Sequence, residues 1–323
     1  MMAFPTVSVI IPVRNEAKRI RQCIEGILKQ TVPVHEIIVI DSGSTDGTLE
    51  ILAEFPQVDV VKIDGSTFNH GLTRNLGVER ATGEFCQLTV GDAYAYNDVW
   101  LEEMLKGFLD DEVMAVCGQQ VVDHLPENNP MQWFRPSGPP ALRRVQHKDR
   151  AWDKLSPEEK RADGGWDDVV AMYRRQALLD QLFRETSYSE DKIWLDEAMR
   201  NGHAVAYNTA ARVYHYHYED ADFMYRRTIT GLYFNYRTFG TVPSPPSNRV
   251  SLRALVRRAK WLYLKSNLSV SEANNWWKYH RERLEAGRKG TLAFLQHLHL
   301  GELDLDGFHA ELCGKPPIPV KRS

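Results

Sequence analysis

Cysteine is scarce in this chain: Cys23, Cys86, Cys117 and Cys313 are the only four in 323 residues, and no CxxC pair occurs. That excludes a disulfide framework and a thiolate zinc site, and points to reduced, metal-free cysteines in a cytosolic setting. No stretch of about 18 uninterrupted apolar residues is present, which argues against a membrane-spanning helix. The opening Met1-Met2-Ala3-Phe4-Pro5 has neither the basic region nor the long apolar run of a signal peptide. Charge of one sign is not in excess either. There are 40 Lys and Arg against 43 Asp and Glu, a formal net charge of −3, so wholesale nucleic-acid binding is not expected. The usual phosphate loops are missing: no GxGxxG follows the first apolar run, and no GxxxxGK[ST] exists, which disfavours a dinucleotide oxidoreductase and a P-loop enzyme. At 43% hydrophobic and 26% charged, the composition is that of a globular protein, with two domains or one large α/β unit carrying an appendage.

What is present is alternation. Val7–Ile11 is a β-branched run closed by Pro12 and reads as a buried strand, with Glu36–Ile40 a second strand, Val58–Ile63 a third, Glu84–Val90 a fourth and Val113–Val122 a fifth. Between the first two, Ala17, Ile20, Ile24, Ile27 and Leu28 recur at helical spacing, and a further helix is predicted over 71–81. Strands alternating with helices imply an α/β fold with a mostly parallel central sheet and right-handed crossovers. Pro126–Pro140 reads as a loop, Asp149–Asp163 as a short surface helix and Trp166–Leu182 as a helix. A helix over Glu190–Asn201 precedes a strand over Ala204–Tyr207. Thr241–Ser247, rich in Pro and Ser, is a stiff linker by composition, and the chain beyond it is helical to about Leu300. The expected domains are therefore 1–240 and a helical, basic extension over 241–323.

Open α/β sheets bind ligands at the carboxyl ends of their strands. Those ends here carry Arg14, Asn15 and Glu16 after the first strand, Asp41 after the second and Asp92 after the fourth. One Asp alone is usually a turn former or cap, and Asp46 fits that role. Several strands delivering acids and amides to one rim suggest a nucleotide-sized ligand with a bound cation, its phosphate charge met by Arg74 and by an ion at Asp92.

At this point the motifs become recognisable. Val9-Ile10-Ile11-Pro12-Val13-Arg14-Asn15-Glu16 and Ile38-Val39-Ile40-Asp41-Ser42-Gly43-Ser44-Thr45-Asp46-Gly47-Thr48 resemble the opening of family 2 glycosyltransferases, inverting enzymes of the GT-A fold that use nucleotide sugars. Phe68–Gly77 followed by Leu88-Thr89-Val90-Gly91-Asp92-Ala93 is similar to the branch that contains bacterial rhamnosyltransferases. Ser189-Glu190-Asp191 resembles the family's ED motif, and Val213-Tyr214-His215-Tyr216-His217 its C-terminal histidine element. The motifs occur in the family's order over about residues 6–235. Asp92-Ala93-Tyr94 departs from the family's Asp-x-Asp by lacking the second carboxylate.

The resemblance implies a Rossmann-like GT-A domain and a sugar transfer from a nucleoside-diphosphate donor, dTDP-rhamnose or a UDP-sugar, to a glycan or lipid-linked glycan of a surface polysaccharide. Asp191 is then the general base, and Glu190 contacts the acceptor or orients the base. Asp92 with His215 or His217, which share a side of an extended segment, would hold Mn2+ or Mg2+. Pro12, Val13, Arg14, Glu16, Asp41, Arg74, Asp92 and Ala93 fall on the donor side, and Trp166 on the acceptor side as a stacking platform. The competing expectations are a sugar nucleotidyltransferase, which would favour a Gly-rich first loop, and a degenerate transferase serving as a scaffold.

The last feature is charge. From Phe223 to Ser271 there are nine Lys and Arg and no Asp or Glu, and Leu252, Leu255, Val256, Ala259, Leu262 and Tyr263 alternate with cations at helical spacing around Trp261. A basic amphipathic helix of this kind suits an anionic membrane surface. The protein is accordingly expected in the cytoplasm, with docking on the cytoplasmic face of the inner membrane as the further expectation.

Overall fold

The computed structural model describes residues 5–125, 128–131, 139–149, 151–156, 159–160 and 163–313. The chain divides into two compact units, 1–123 with 134–216 and 124–133 with 217–323. Among the described residues the first holds one nine-stranded sheet, in the order β3-β2-β1-β4-β8-β6-β9-β5 with β7 also on β9. Its strands are β1 (Val7–Val13), β2 (Glu36–Asp41), β3 (Val58–Lys62), β4 (Phe85–Leu88), β5 (Tyr94–Ala95), β6 (Val113–Val121), β7 (Leu142–Val145), β8 (Ala171–Arg174) and β9 (Ala204–Tyr214). Its helices are α1 (Ile20–Leu28), α2 (Thr48–Leu52), α3 (His70–Arg80), α4 (Trp100–Lys106), α5 (Ala151–Lys154), α6 (Arg175–Asp180) and α7 (Glu190–Arg200).

The β-branched runs of β1 and β2 become strands because each is buried on both faces. Val7, Val9 and Ile11 pack with Ile20, Ile24 and Ile27 of α1 on one side, while Ile10 joins Ile38, Ile40 and Val78 of α3 on the other. Pro12 does not end β1 but sits within it, opposite Ile40. Gly77 lets α3 lie close on the sheet, since a Cβ there would be 2.4 Å from Ile10 Cγ2.

Two expectations are corrected. The sheet is mixed, not mostly parallel: β1 pairs parallel with β2 and β4, β2 with β3, and β6 with β9, but β8 runs antiparallel to β4 and β6, and β9 antiparallel to β5 and β7. The source is the segment Trp166–Leu182. Its apolar residues suit a helix in spacing, yet Ala171, Met172 and Tyr173 are fully buried in a central strand, and helix begins only at Arg175. Tertiary burial overrides local pattern for a short apolar run. Of the surface helix expected over Asp149–Asp163, Ala151–Lys154 forms α5, and Trp152 is buried with its indole N–H donated to Asp196 at 2.7 Å. The loop expected over Pro126–Pro140 lies largely outside the described residues.

The second unit is helical: α8 (Ala221–Phe239), α9 (Leu252–Leu264), α10 (Val270–Leu300) and α11 (Glu302–Cys313). Asp220 caps α8, which ends at Gly240 in the left-handed region, φ 66. Ser269 and Glu272 form a capping box at the start of α10. Tyr233, Phe294 and Leu305 bury together, and the Tyr233 hydroxyl donates to Asp306 at 2.6 Å. All four cysteines are free thiols. No helix among the described residues is long and apolar enough to cross a membrane.

The tight contact at Gly77 yields a test. Gly77→Ala gains about 1 kcal/mol of helix propensity but forces a methyl into a fully buried isoleucine, an overpacking cost of about 1–3 kcal/mol. Net destabilisation is expected, read as a lower urea midpoint at unchanged slope. A variant of equal or greater stability would show that α3 does not pack this closely.

Candidate active site

The strand ends meet at one rim. Val13 of β1 lies opposite Asp41 of β2, and the loops beyond them are laced together. The Asn15 amide N–H donates to the Ser44 hydroxyl at 2.9 Å, Asn15 Oδ1 accepts from the Thr45 N–H at 2.8 Å, and the Glu16 N–H donates to the Thr48 hydroxyl at 2.8 Å. Asp41 is buried, and its carboxylate accepts the N–H groups of Gly43 and Ser44 at 3.0–3.3 Å. These bonds close the turn and leave acceptor capacity on the carboxylate at the rim expected to take the donor. Asp46 is a turn and cap residue, accepting from Ala17 and Thr48. Arg14 is exposed at this rim, whereas Pro12 is buried. Val13 and Ala93 are core residues, 4% and 1% exposed, so their side chains do not line a donor pocket as expected.

The candidate cation ligands converge for a topological reason. After β4 the chain turns through Gly91-Asp92, and β5 pairs antiparallel with β9, Tyr94 opposite Tyr214. That brings Asp92 beside the residue following β9: His215 Nε2 is 3.5 Å from Asp92 Oδ1. His217 continues the same segment, and one donor atom from each of Asp92, His215 and His217 lies within 4.8 Å of the others. A carboxylate with two imidazoles fits Mn2+ or Mg2+, nitrogen favouring Mn2+. Where Asp-x-Asp would continue, Tyr94 instead donates its hydroxyl to Asp123. The Glu16 carboxyl is pushed up to about 7 by burial, then by the negative charges of Asp92 and Asp46.

The acid cluster follows from β8. Because β8 runs antiparallel to β4, Leu88 opposite Ala171, its lead-in Asp167-Asp168 falls at the end of β4 that leads to Asp92. Asp168 is buried, accepts the Tyr173 hydroxyl at 2.5 Å and faces Arg74 Nε at 3.7 Å. Burial pushes its carboxyl up to about 7, with Arg74 opposing. Arg74 is 4% exposed; its guanidinium also donates to Glu190 and to the His70 carbonyl. Gly71 lets α3 approach the chain entering α7, since a Cβ there would be 2.6 Å from the Arg184 carbonyl oxygen. Asn75 exchanges two hydrogen bonds with Phe183, and Asn69 donates to the Thr186 carbonyl. The braced segment delivers Ser189, held at φ 59, and then Glu190 and Asp191 in the first turn of α7. Asp191 Oδ1 accepts the Lys192 N–H at 2.7 Å. Its carboxyl is held well above the usual carboxylate range by burial and then by Asp168, Glu190 and Asp167.

Three expectations change. Arg74 is enclosed by carboxylates and does not face a diphosphate. Glu190 is spent on Arg74, which fits orienting the base and not touching the acceptor. Trp166 is 2% exposed and packs among Tyr173, Trp194 and Tyr207, with its indole N–H on the Tyr173 hydroxyl at 2.7 Å, so no ring face is open to a sugar. Two residues of the site, Gln120 and Tyr173, carry no role in the sequence, and Asp167 and Asp168 stand there only as neighbours of Trp166 on the side where the resemblance puts the acceptor. The adjacent acids before β8 were the one visible signal, since an acid pair bordering a buried strand must find partners. Gln120 offers none.

The model of the family described as Glycosyl transferase family 2 matches residues 8–183, more than half of the chain. The chain belongs to this family. It is similar to the O-antigen chain rhamnosyltransferase RfbN of Salmonella typhimurium, 26% identical over 214 residues, 65% of this chain and 66% of that one. The O-antigen chain rhamnosyltransferase WbaN of Salmonella anatum is 36% identical over 129 residues, 39% of this chain and 40% of that one. The matches thus span just under two thirds of the first relative's length and well under half of the second's. Among solved structures, the mannosyltransferase PcManGT from Pyrobaculum calidifontis, in complex with GDP-Man and Mn2+, shares the fold at TM-score 0.51 and 17% identity, over 96% of this chain and 80% of that one. The fold is GT-A.

Arg74 supplies the test of this geometry. Arg74→Met leaves two buried carboxylates without their cation, and breaking such a pair costs about 3–5 kcal/mol. Urea unfolding at pH 8 should show a loss of that order, and a smaller loss at pH 5, where the Asp168 carboxyl is neutralised. A loss under 1 kcal/mol at pH 8 would mean that the guanidinium is not what holds them.

Proposed function

We propose that this protein is an inverting, cation-assisted glycosyltransferase that moves a sugar from a nucleoside-diphosphate donor, dTDP-rhamnose or a UDP-sugar, to a glycan or lipid-linked glycan in O-antigen-type polysaccharide synthesis. One observation carries the reading: a chain of contacts runs from the candidate cation ligands to Asp167, whose charge acts on the candidate base. Asp92 meets His215, His215 bonds Gln120, Gln120 bonds Asp167, and Asp167 is among the charges that raise the proton affinity of Asp191. The rhamnosyltransferase relatives support the sugar class, and the Mn2+ and GDP-Man of the mannosyltransferase support the cation and donor class.

A divalent ion, when bound at Asp92, His215 and His217, supplies Lewis-acid charge to a departing diphosphate. The rest is protein chemistry. Asp41 and Arg14 stand at the rim for the nucleoside. Asp191 takes the proton of the acceptor hydroxyl as the new C–O bond forms, with no covalent intermediate. A carboxylate with raised proton affinity is a stronger base near neutrality than a solvent-exposed one. Glu190, anchored by Arg74, fixes the turn on which Asp191 sits.

The sign of the pH effect follows. Only deprotonated Asp191 can act, so transfer rises with pH, and the acid limb lies above the ordinary carboxylate range. Asp167→Asn removes one of the repelling charges and should move that limb to lower pH, seen in kcat against pH with a nucleotide-sugar donor. Asp191→Asn should keep donor binding by thermal shift while transfer falls about 10²–10⁴-fold. Near-normal transfer by that variant removes Asp191 from the mechanism, and release of pyrophosphate instead of nucleoside diphosphate points to a nucleotidyltransferase.

For location, we infer docking on an anionic membrane face through α9. Leu252, Val256, Tyr263 and Leu264 are 73%, 56%, 41% and 74% exposed, and Arg253, Arg257, Lys260 and Lys265 are exposed beside them. Leu262 is buried, and Trp261 is half-buried instead of standing at the exposed face. Burial lowers the proton affinity of the Arg258 guanidinium, and the positive charges of Arg257 and Arg283 lower it further. Full-length protein should sediment with phosphatidylglycerol vesicles and not with phosphatidylcholine ones. The triple variant R253E/R257E/K260E should lose this while keeping donor hydrolysis. Equal sedimentation with both lipids removes the idea.

A further inference from the structure

Gln120, next to last in β6, has no role in the family motifs quoted above. It stands in register with Val213 of β9, beside the chain that leads to His215. Its side-chain oxygen lies 2.7 Å from His215 Nδ1, and its side-chain nitrogen donates to Asp167 Oδ2. The two ends of an amide are not equivalent. An ionised carboxylate only accepts, so Asp167 claims the NH2 end and the oxygen is left for His215. An oxygen that only accepts requires a proton on Nδ1. The Nε2 lone pair then turns toward Asp92, 3.5 Å away. Asp167 is itself anchored, since its Oδ1 accepts the Val169 N–H at 2.9 Å.

We propose that Gln120 is a positioning residue of the cation site: oriented by Asp167, it fixes the Nδ1–H tautomer of His215 and so presents Nε2 as the ligand atom. This rests on the cation site of the proposed function. Outer hydrogen-bond partners of metal-ligating histidines commonly account for about 10–100-fold in metal affinity. A purely structural glutamine would brace β6 against the 166–168 loop and leave both the tautomer and the affinity untouched.

The test uses the full chain and Mn2+ alone. Free Mn2+ is titrated by electron paramagnetic resonance, and the His215 tautomer is read from the ring 15N shifts of the metal-free protein. The wild type should show the Nδ1–H form. Gln120→Leu should lose that preference and bind Mn2+ about 10–100-fold more weakly. Gln120→Glu still accepts from Nδ1–H and should retain affinity at or above the wild-type value, which separates loss of the acceptor from loss of packing. An Nε2–H tautomer in the wild type, unchanged affinity in Gln120→Leu, or equal loss in both variants overturns the role. Wild-type protein that binds no Mn2+ overturns the cation site itself, with this role included, and leaves the fold and family assignment standing.

Discussion

One buried guanidinium holds three stretches of chain, far apart in sequence, in a fixed relation. Arg74 comes from α3, Asp168 from the approach to β8 and Glu190 from the first turn of α7. Exposed pairs such as Arg21 with Glu54 contribute little, because water screens them, and could be lost without moving the backbone. A buried charge has no such freedom, because each partner left alone carries a desolvation penalty of several kcal/mol. The three segments therefore assemble together or not at all. The Asn75–Phe183 and Asn69–Thr186 bonds set the distance, and the guanidinium sets the register.

The same cluster sorts the acids of the site. Asp46, exposed and bonded by Thr48 and Ala17, is held below the usual carboxylate range, as suits a permanent structural anion. Asp168 and Asp191, desolvated and mutually repelling, are held above it. One positive charge among several carboxylates stabilises their burial but does not neutralise them all. The surplus negative charge raises the proton affinity of Asp191. Environments that push like groups apart are how one fold separates structural from acid–base roles.

The parallel half of the fold was legible in the sequence because its signals are local. β1, β2 and β3 are β-branched runs, Asp41 closes β2, and Asp92 lies in the short turn after β4. What lay beyond the pattern was non-local. Ala171-Met172-Tyr173 carries the spacing of a helix, and only burial between β4 and β6 makes it a strand. That misreading hid the reason Asp167 and Asp168 arrive at the end of β4 that leads to Asp92. Trp166 and Arg74 were read as ligand-facing, since a single sequence does not say whether an aromatic or a cation is enclosed. His215 and His217 were legible as a pair from their spacing, but their approach to Asp92 depends on the short β5–β9 pairing, for which a two-residue strand gives almost no signal.

The missing second carboxylate bears on the proposed chemistry in one more way. Asp-x-Asp brings two negative charges to an ion, whereas Asp92 with two neutral imidazoles brings one. A divalent ion held by this set would keep one more unit of positive charge to present outward, where a leaving diphosphate accumulates negative charge. The substitution thus weakens the electrostatic part of ion binding while strengthening its pull on the leaving group. Such a site depends more heavily on the orientation of its nitrogen ligands, because less of its affinity comes from charge. An amide that fixes one imidazole, itself fixed by an acid from the base side, answers that need, and it ties the geometry of the cation ligands to the loop that helps set the proton affinity of Asp191.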